Sequence, residues 1–100
     1  MSKPQLIYIA GPITGLPTQQ MMHDFEEAAA EWRVKGYAVI NPSLNYGGSS
    51  RVTQAQYMRL SLAQLQCVDA VYMLTGWEQS EGARCEEVVA RALGLEISYQ

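Results

Sequence analysis

The sequence predicts an α/β fold, a small parallel sheet with helices on its faces. Three observations predict it. Short apolar runs alternate with amphipathic stretches along all 100 residues. Each apolar run ends at Gly, Pro or Asn. The intervening stretches carry apolar residues at three- and four-residue spacing, which is a helix face. Alternation of this kind favours parallel strands joined by right-handed crossovers.

The elements follow in order. Leu6 to Ala10 is a continuous apolar run closed by Gly11-Pro12 and reads as a buried strand. Met21, Met22, Phe25, Ala28, Ala29 and Trp32 mark one face of a helix from about Gln19 to Lys35, with Gly36 as its stop. Tyr37 to Ile40 is a second strand, closed by Asn41-Pro42, and a Gly/Ser-rich loop runs from Asn45 to Ser50. Thr53 suits the N-cap of a helix reaching about Cys67, with Met58, Leu62 and Leu65 facing inward. Ala70 to Leu74 is a third strand, broken by Gly76. Residues 82 to 93 form a third helix, with Cys85, Val88, Val89 and Ala92 expected on its buried side. Gly94 ends it, and Leu95 to Tyr99 is a short last strand.

One hundred residues make about one domain, here residues 1–100, able to bury ~65% of the surface of the unfolded chain. Apolar residues are 48% and charged residues 17%, a balance that argues against disorder. A net charge of -3 gives no basic footprint, so no nucleic-acid polymer is expected as partner. No run approaches the ~18 apolar residues of a membrane span, and the start is poor as a signal peptide. No membrane partner and a cytoplasmic setting are expected. Cys67 and Cys85 match no zinc or redox motif and read as free thiols. His23 is the only histidine, which makes a His-based metal site or triad hard to build. No metal and no cofactor are expected.

In open sheets of this type ligands bind beyond the carboxyl ends of the strands. Three segments should meet there: Gly11 to Gly15, Asn41 to Gly48, and Thr75 to Glu86. The first permits close backbone approach at Gly11, but it is neither a dinucleotide fingerprint nor a Walker loop. A plain strand-to-helix turn is the competing reading. In the third, Ser80 suits both an N-cap and a contact to a phosphate or sugar oxygen. Glu86 shares a helical stripe with Val89, Ala90 and Leu93 at the border of the buried face, whereas Glu87 points in a more solvated direction. A carboxylate at that border is a candidate nucleophile or base; complementing the helix dipole is the alternative. Ser61 faces inward and either bonds its own helix or lines a pocket. Asp69 is expected to hold a neighbouring backbone N–H. Tyr8 is a core or pocket phenol, and Trp77 a lid or a stacking surface.

These residues carry a resemblance. Tyr8-Ile-Ala-Gly-Pro-Ile-Thr-Gly15, Gly36-Tyr37, Asn41-Pro42, Asp69-Ala70, Gly76-Trp77-Glu78, Ser80-x-Gly82-Ala83-x-x-Glu86 and Ala90-x-Ala92-x-Gly94 resemble a phage and bacterial domain-of-unknown-function branch related to the nucleoside 2-deoxyribosyltransferases. That superfamily also holds the 2'-deoxynucleoside 5'-monophosphate N-hydrolases and CMP hydrolases. The resemblance implies a flavodoxin- or Rossmann-like three-layer fold with four to five parallel strands. It also implies N-glycosidic bond hydrolysis or transfer on a nucleoside or 5'-nucleotide, in a homodimer or higher homo-oligomer.

Carried over residue by residue, Glu86 matches the nucleophile and Tyr8 the phenol that touches it. Gly11, Pro12, Ile13, Ser61, Trp77, Ser80 and Gly82 match substrate-binding positions. Ser at position 80, where the nucleoside transferases carry Asp, implies a 5'-monophosphate. Two features depart from the pattern. Ser61 stands where relatives commonly carry Asp, and the first loop lacks the Arg that monophosphate hydrolases use. Glu78 and Glu81 are the nearby acids, and Arg51, Arg59 and Arg84 the spare cations. The alternative to an enzyme is therefore a non-catalytic nucleotide-binding module of the same fold.

Overall fold

The computed structural model describes residues 5–13, 18–48 and 51–100. Thr14 and Gly15 of the first loop, and Ser49 and Ser50 of the Gly/Ser-rich loop, lie outside the described residues. In chain order the elements are β1 (Leu6–Ala10), α1 (Thr18–Val34), β2 (Ala38–Ile40), a 3-10 turn (Pro42–Gly48), α2 (Gln54–Leu65), β3 (Ala70–Met73), a second 3-10 turn (Trp77–Gln79), α3 (Glu81–Ala92) and β4 (Glu96–Tyr99). All four strands are parallel, in the order β2-β1-β3-β4. Ile7 pairs with Val39 on one side and Ala70 on the other.

β1 is apolar at successive positions because both its faces are covered. Ile7 and Ile9 point into a core with Met21, Phe25 and Ala28 of α1, joined by Ala70, Tyr72 and Leu74. Tyr8 and Ala10 point the other way, into a core with Leu65 of α2 and Ala83 and Ala90 of α3, joined by Val68, Val71 and Met73. The result is the three-layer α/β fold. Handedness explains which helix lies where. The step from β1 to β2 runs in one direction along the sheet, and the steps to β3 and β4 run in the other. Right-handed crossovers then put α1 on one face and α2 and α3 on the opposite face.

The third helix corrects the expected packing. Ala83, Glu86, Glu87 and Ala90 are the buried residues of α3, whereas Cys85, Val88 and Ala92 are exposed and Val89 is half-buried. Alanines at 83 and 90 let the helix lie close against β1 and β3. The two acids between them share that stripe by period, and each finds partners that make its burial tolerable. Glu87, expected toward solvent, accepts two bonds from Arg91 and one from Tyr99, all at 3.0 Å. These surface groups form its thin cover and hold its carboxyl below the usual range, the Arg91 bonds first.

Asn41-Pro42 does more than close a strand. Asn41 Oδ1 accepts from the Ser43 N–H at 3.0 Å and starts the 3-10 turn where a loop was expected. Asp69 Oδ2 accepts from the Leu6 N–H at 2.9 Å and so fastens the start of β1 to the start of β3.

Candidate active site

Strand order places the site. The chain leaves β1 toward β2, then returns past β1 to β3, so the loops after β1 and β3 diverge. In open α/β sheets that divergence opens a crevice at the carboxyl ends of the strands. Gly11 closes β1 there because an added Cβ would lie 2.9 Å from Leu74 Cβ, the residue just after β3.

A cavity of about 380 Å3 occupies this edge, within the range of about 300–1,000 Å3 usual for small-molecule sites. Gly11 and Ile13 of the first loop, Ser80, Gly82, Ala83 and Glu86 around the start of α3, Ser43 and Asn45 of the 3-10 turn, and Thr53, Gln54, Tyr57 and Met58 of α2 contribute to its lining. The amino ends of two helices thus reach one hollow. Thr53 caps α2 in a reciprocal capping box with Gln56, and Ser80 caps α3 by accepting from the Ala83 N–H at 3.2 Å. Both ends carry the partial positive charge of a helix N-terminus.

Glu86 sits in the second turn of α3 and is only 4% exposed. The Tyr8 hydroxyl, fully buried on the same side of β1, donates to Glu86 Oε2. Burial pushes the Glu86 carboxyl up to about 7, against the opposing pull of the Tyr8 bond. Burial and then the Glu86 charge hold the Tyr8 phenol well above its ordinary value, so it stays a donor. Ser61 of α2 is wholly buried beside this pair. It is near enough to favour the carboxylate, although its Oγ meets no partner at hydrogen-bonding geometry. It does not line the cavity.

The expected residues divide accordingly. Tyr8, Glu86 and Ser61 form one buried cluster, and Gly11, Ile13, Ser80 and Gly82 share the cavity with Glu86. Pro12 instead lines a second hollow of about 480 Å3, beside Leu74 and Gln100, with Met21 common to both. Trp77 packs its ring near Tyr99, with centroids 5.7 Å apart, and against the α2/α3-side core. Neither lines the cavity that holds Glu86. Glu78 and Glu81 are exposed and outside that cavity, as are Arg51, Arg59 and Arg84. Among the described residues no group of three His, Cys, Asp or Glu side chains is placed to share a metal ion.

Sequence reasoning placed the segment holding Ser43 at the strand ends without singling that residue out, and it missed Tyr57 altogether. The Tyr57 hydroxyl donates to the Pro42 carbonyl. Burial, then the Glu86 charge, raises its phenol well above the ordinary value. The available signal was position alone. Tyr57 lies one turn before Ser61 on the same helix face, and Ser43 follows Asn41-Pro42.

A buried carboxylate beside a hollow at a divergence of strands is the architecture of a small-molecule site in an open α/β sheet. The chain belongs to the family described as Domain of unknown function (DUF4406), which matches residues 5–99. Comparison with curated proteins finds no match. Among solved structures, the chain is similar to the Clostridium botulinum CMP N-glycosidase BcmB, with a TM-score of 0.65 and 18% identity. The match covers 95% of this chain and 67% of that one. At this identity the likeness shows the shared fold. Among the described residues no helix is long and apolar enough to cross a membrane.

Proposed function

We propose that the protein cleaves the N-glycosidic bond of a nucleoside or nucleoside 5'-monophosphate, with Glu86 as nucleophile. The observation that carries this reading is the Glu86 carboxyl, buried, bonded by Tyr8 and lining the cavity at the strand ends. The fold shared with a CMP N-glycosidase supports it.

A Glu86 carboxylate oxygen attacks the anomeric carbon, and the carbon–nitrogen bond electrons leave with the base, which takes a proton from water. Water then cleaves the glycosyl ester and restores the carboxylate; a second base in place of water gives transfer. The sugar carbon is cationic in the transition state, as in glycoside hydrolysis. A carboxyl near 7 is poised between its two forms at neutral pH, and an approaching positive centre favours the charged form. Tyr8 holds Oε2 in place, which leaves Oε1 for attack. The Ser80 hydroxyl and the N–H groups opening α3 suit a 5'-phosphate. The reading includes a homo-oligomer, to which exposed Val88 offers apolar surface.

A second reading, a module that binds a nucleotide without turnover, is favoured by one observation. Among the described residues no other Asp or Glu lines the cavity, and Ser61 offers no acid to the leaving base. Incubation with nucleosides and 5'-monophosphates, followed by chromatography for free base, separates the two. The enzyme releases base, and Glu86→Ala abolishes release. A module releases none, while a nucleotide still raises its melting temperature.

A further inference from the structure

The directions of two hydroxyl protons beside the cavity, those of Ser43 and Tyr57, are fixed by their partners. Arg33 Nη1 donates to Glu26 Oε1 at 2.8 Å, and the Arg33 bond holds the Glu26 carboxyl below its ordinary range. An ionised carboxylate only accepts. The Asn41 atom 3.2 Å from Glu26 Oε2 is therefore the amide nitrogen. The other end of that amide is the oxygen, as the Ser43 N–H also requires, since it can only donate and lies 3.0 Å away. That oxygen can only accept, so the Ser43 hydroxyl, at 2.6 Å, directs its proton to it. Tyr57 meets the same constraint, because the Pro42 carbonyl facing its hydroxyl cannot donate.

Ser43 and Tyr57 both line the cavity. Each hydroxyl has committed its single proton inward and keeps only lone pairs for a ligand. They are also held together, since Pro42 and Ser43 are consecutive and Tyr57 is tied to the Pro42 carbonyl. An ionised Glu86 adds a third acceptor to the same hollow. A carbonyl edge placed against Ser43 and Tyr57 would set lone pairs against lone pairs and leave both bonds unmade. An N–H or O–H group there would complete both bonds.

We propose that Ser43 and Tyr57 form an acceptor-only wall that selects ligands presenting hydrogen-bond donors to it. The inference rests on the nucleoside or nucleotide reading of the cavity and deepens it into a rule of specificity. Two parts of such a ligand carry the required chemistry, an exocyclic amine on the base and the 2'-hydroxyl of ribose.

The test is calorimetric titration in a Glu86→Ala background, where turnover is blocked. The probes are CMP against UMP and AMP against IMP, which exchange amine for carbonyl, and dCMP and dAMP, which lack the 2'-hydroxyl. If the amine is read, CMP or AMP binds at least about tenfold tighter than its carbonyl partner. If the 2'-hydroxyl is read, the ribonucleotides bind tighter than the deoxynucleotides by a similar factor. In either case adding Ser43→Ala and Tyr57→Phe reduces the preference to less than about twofold. Equal binding by all probes overturns the proposal, as does a preference that survives both substitutions in a protein of unchanged melting temperature. Either result leaves the proposed N-glycosidase intact if wild-type protein releases base. Failure of every probe to bind overturns the proposal, and overturns the N-glycosidase as well if wild-type protein releases no base from nucleosides or 5'-monophosphates.

Discussion

At the scale of the residue, Glu86 combines burial with one strong donor, and that combination has a measurable sign. Its carboxyl titrates near 7 in the folded chain and near the ordinary 4.5 when unfolded. Between those values the folded state keeps a proton that the unfolded state releases. The contribution of Glu86 to stability is therefore most favourable below the unfolded value and declines as pH rises through 7. The decline amounts to about 3 kcal/mol. Urea midpoints measured from about pH 5 to about pH 8 should fall for wild type relative to Glu86→Gln, which has no such proton to lose. Tyr8→Phe removes a bond that favours the carboxylate, so the decline should move to higher pH. A wild-type midpoint that rises against Glu86→Gln over this window would contradict the burial argument. Of this, the Tyr8–Glu86 contact came from the family resemblance and is present in the structure, whereas residue type and spacing alone did not give it. The periodicity of α3 put Glu86 at the border of the buried face, but its donor lies 78 residues away on β1.

At the scale of the element, the two helix starts that reach the cavity differ in what their caps do. Thr53 closes a capping box with Gln56 through both side-chain bonds, and its hydroxyl is occupied in both senses. Ser80 accepts one bond from Ala83 and donates none among the described residues. Alanine at either position should cost about 1 kcal/mol of stability in a denaturant titration. Only Ser80→Ala should also narrow the ratio of 5'-monophosphate to nucleoside affinity. An unchanged ratio would reduce Ser80 to a cap alone. The Thr53 cap was legible because Thr precedes a helical period directly. The face of α3 was not, because the pattern reading counted Cys85, Val88 and Ala92 as core and sent Glu87 to solvent. The helix instead buries its small residues, Ala83 and Ala90, against the sheet, and tyrosines satisfy the acids between them. The 3-10 turn was missed for a related reason. Its first bond uses the Asn41 side chain, and a Gly/Ser-rich composition hides such a cap.

At the scale of the whole molecule, the alternation of strands and helices was readable, and the order β2-β1-β3-β4 was not. Order depends on which crossover turns back. It is this reversal that puts the loop after β1, the start of α3 and the start of α2 around one hollow. Pro12 and Trp77 show the limit of reading a site by loop membership. Both belong to strand-end loops, yet Pro12 turns to the second hollow and Trp77 to Tyr99. The proposed function requires this convergence to make a sugar-transferring carboxylate of Glu86. Trypsin cuts after Arg84 and Arg91, so Glu86 and its neighbour Glu87 travel together in the peptide Cys85 to Arg91. The most direct measurement is fragment mass spectrometry of that peptide after reaction with a slowly hydrolysed 2'-fluoro nucleotide. One sugar unit is expected at Glu86 and none in Glu86→Gln. A sugar at Glu87, or an unmodified peptide from protein that has released base, would contradict the proposed function.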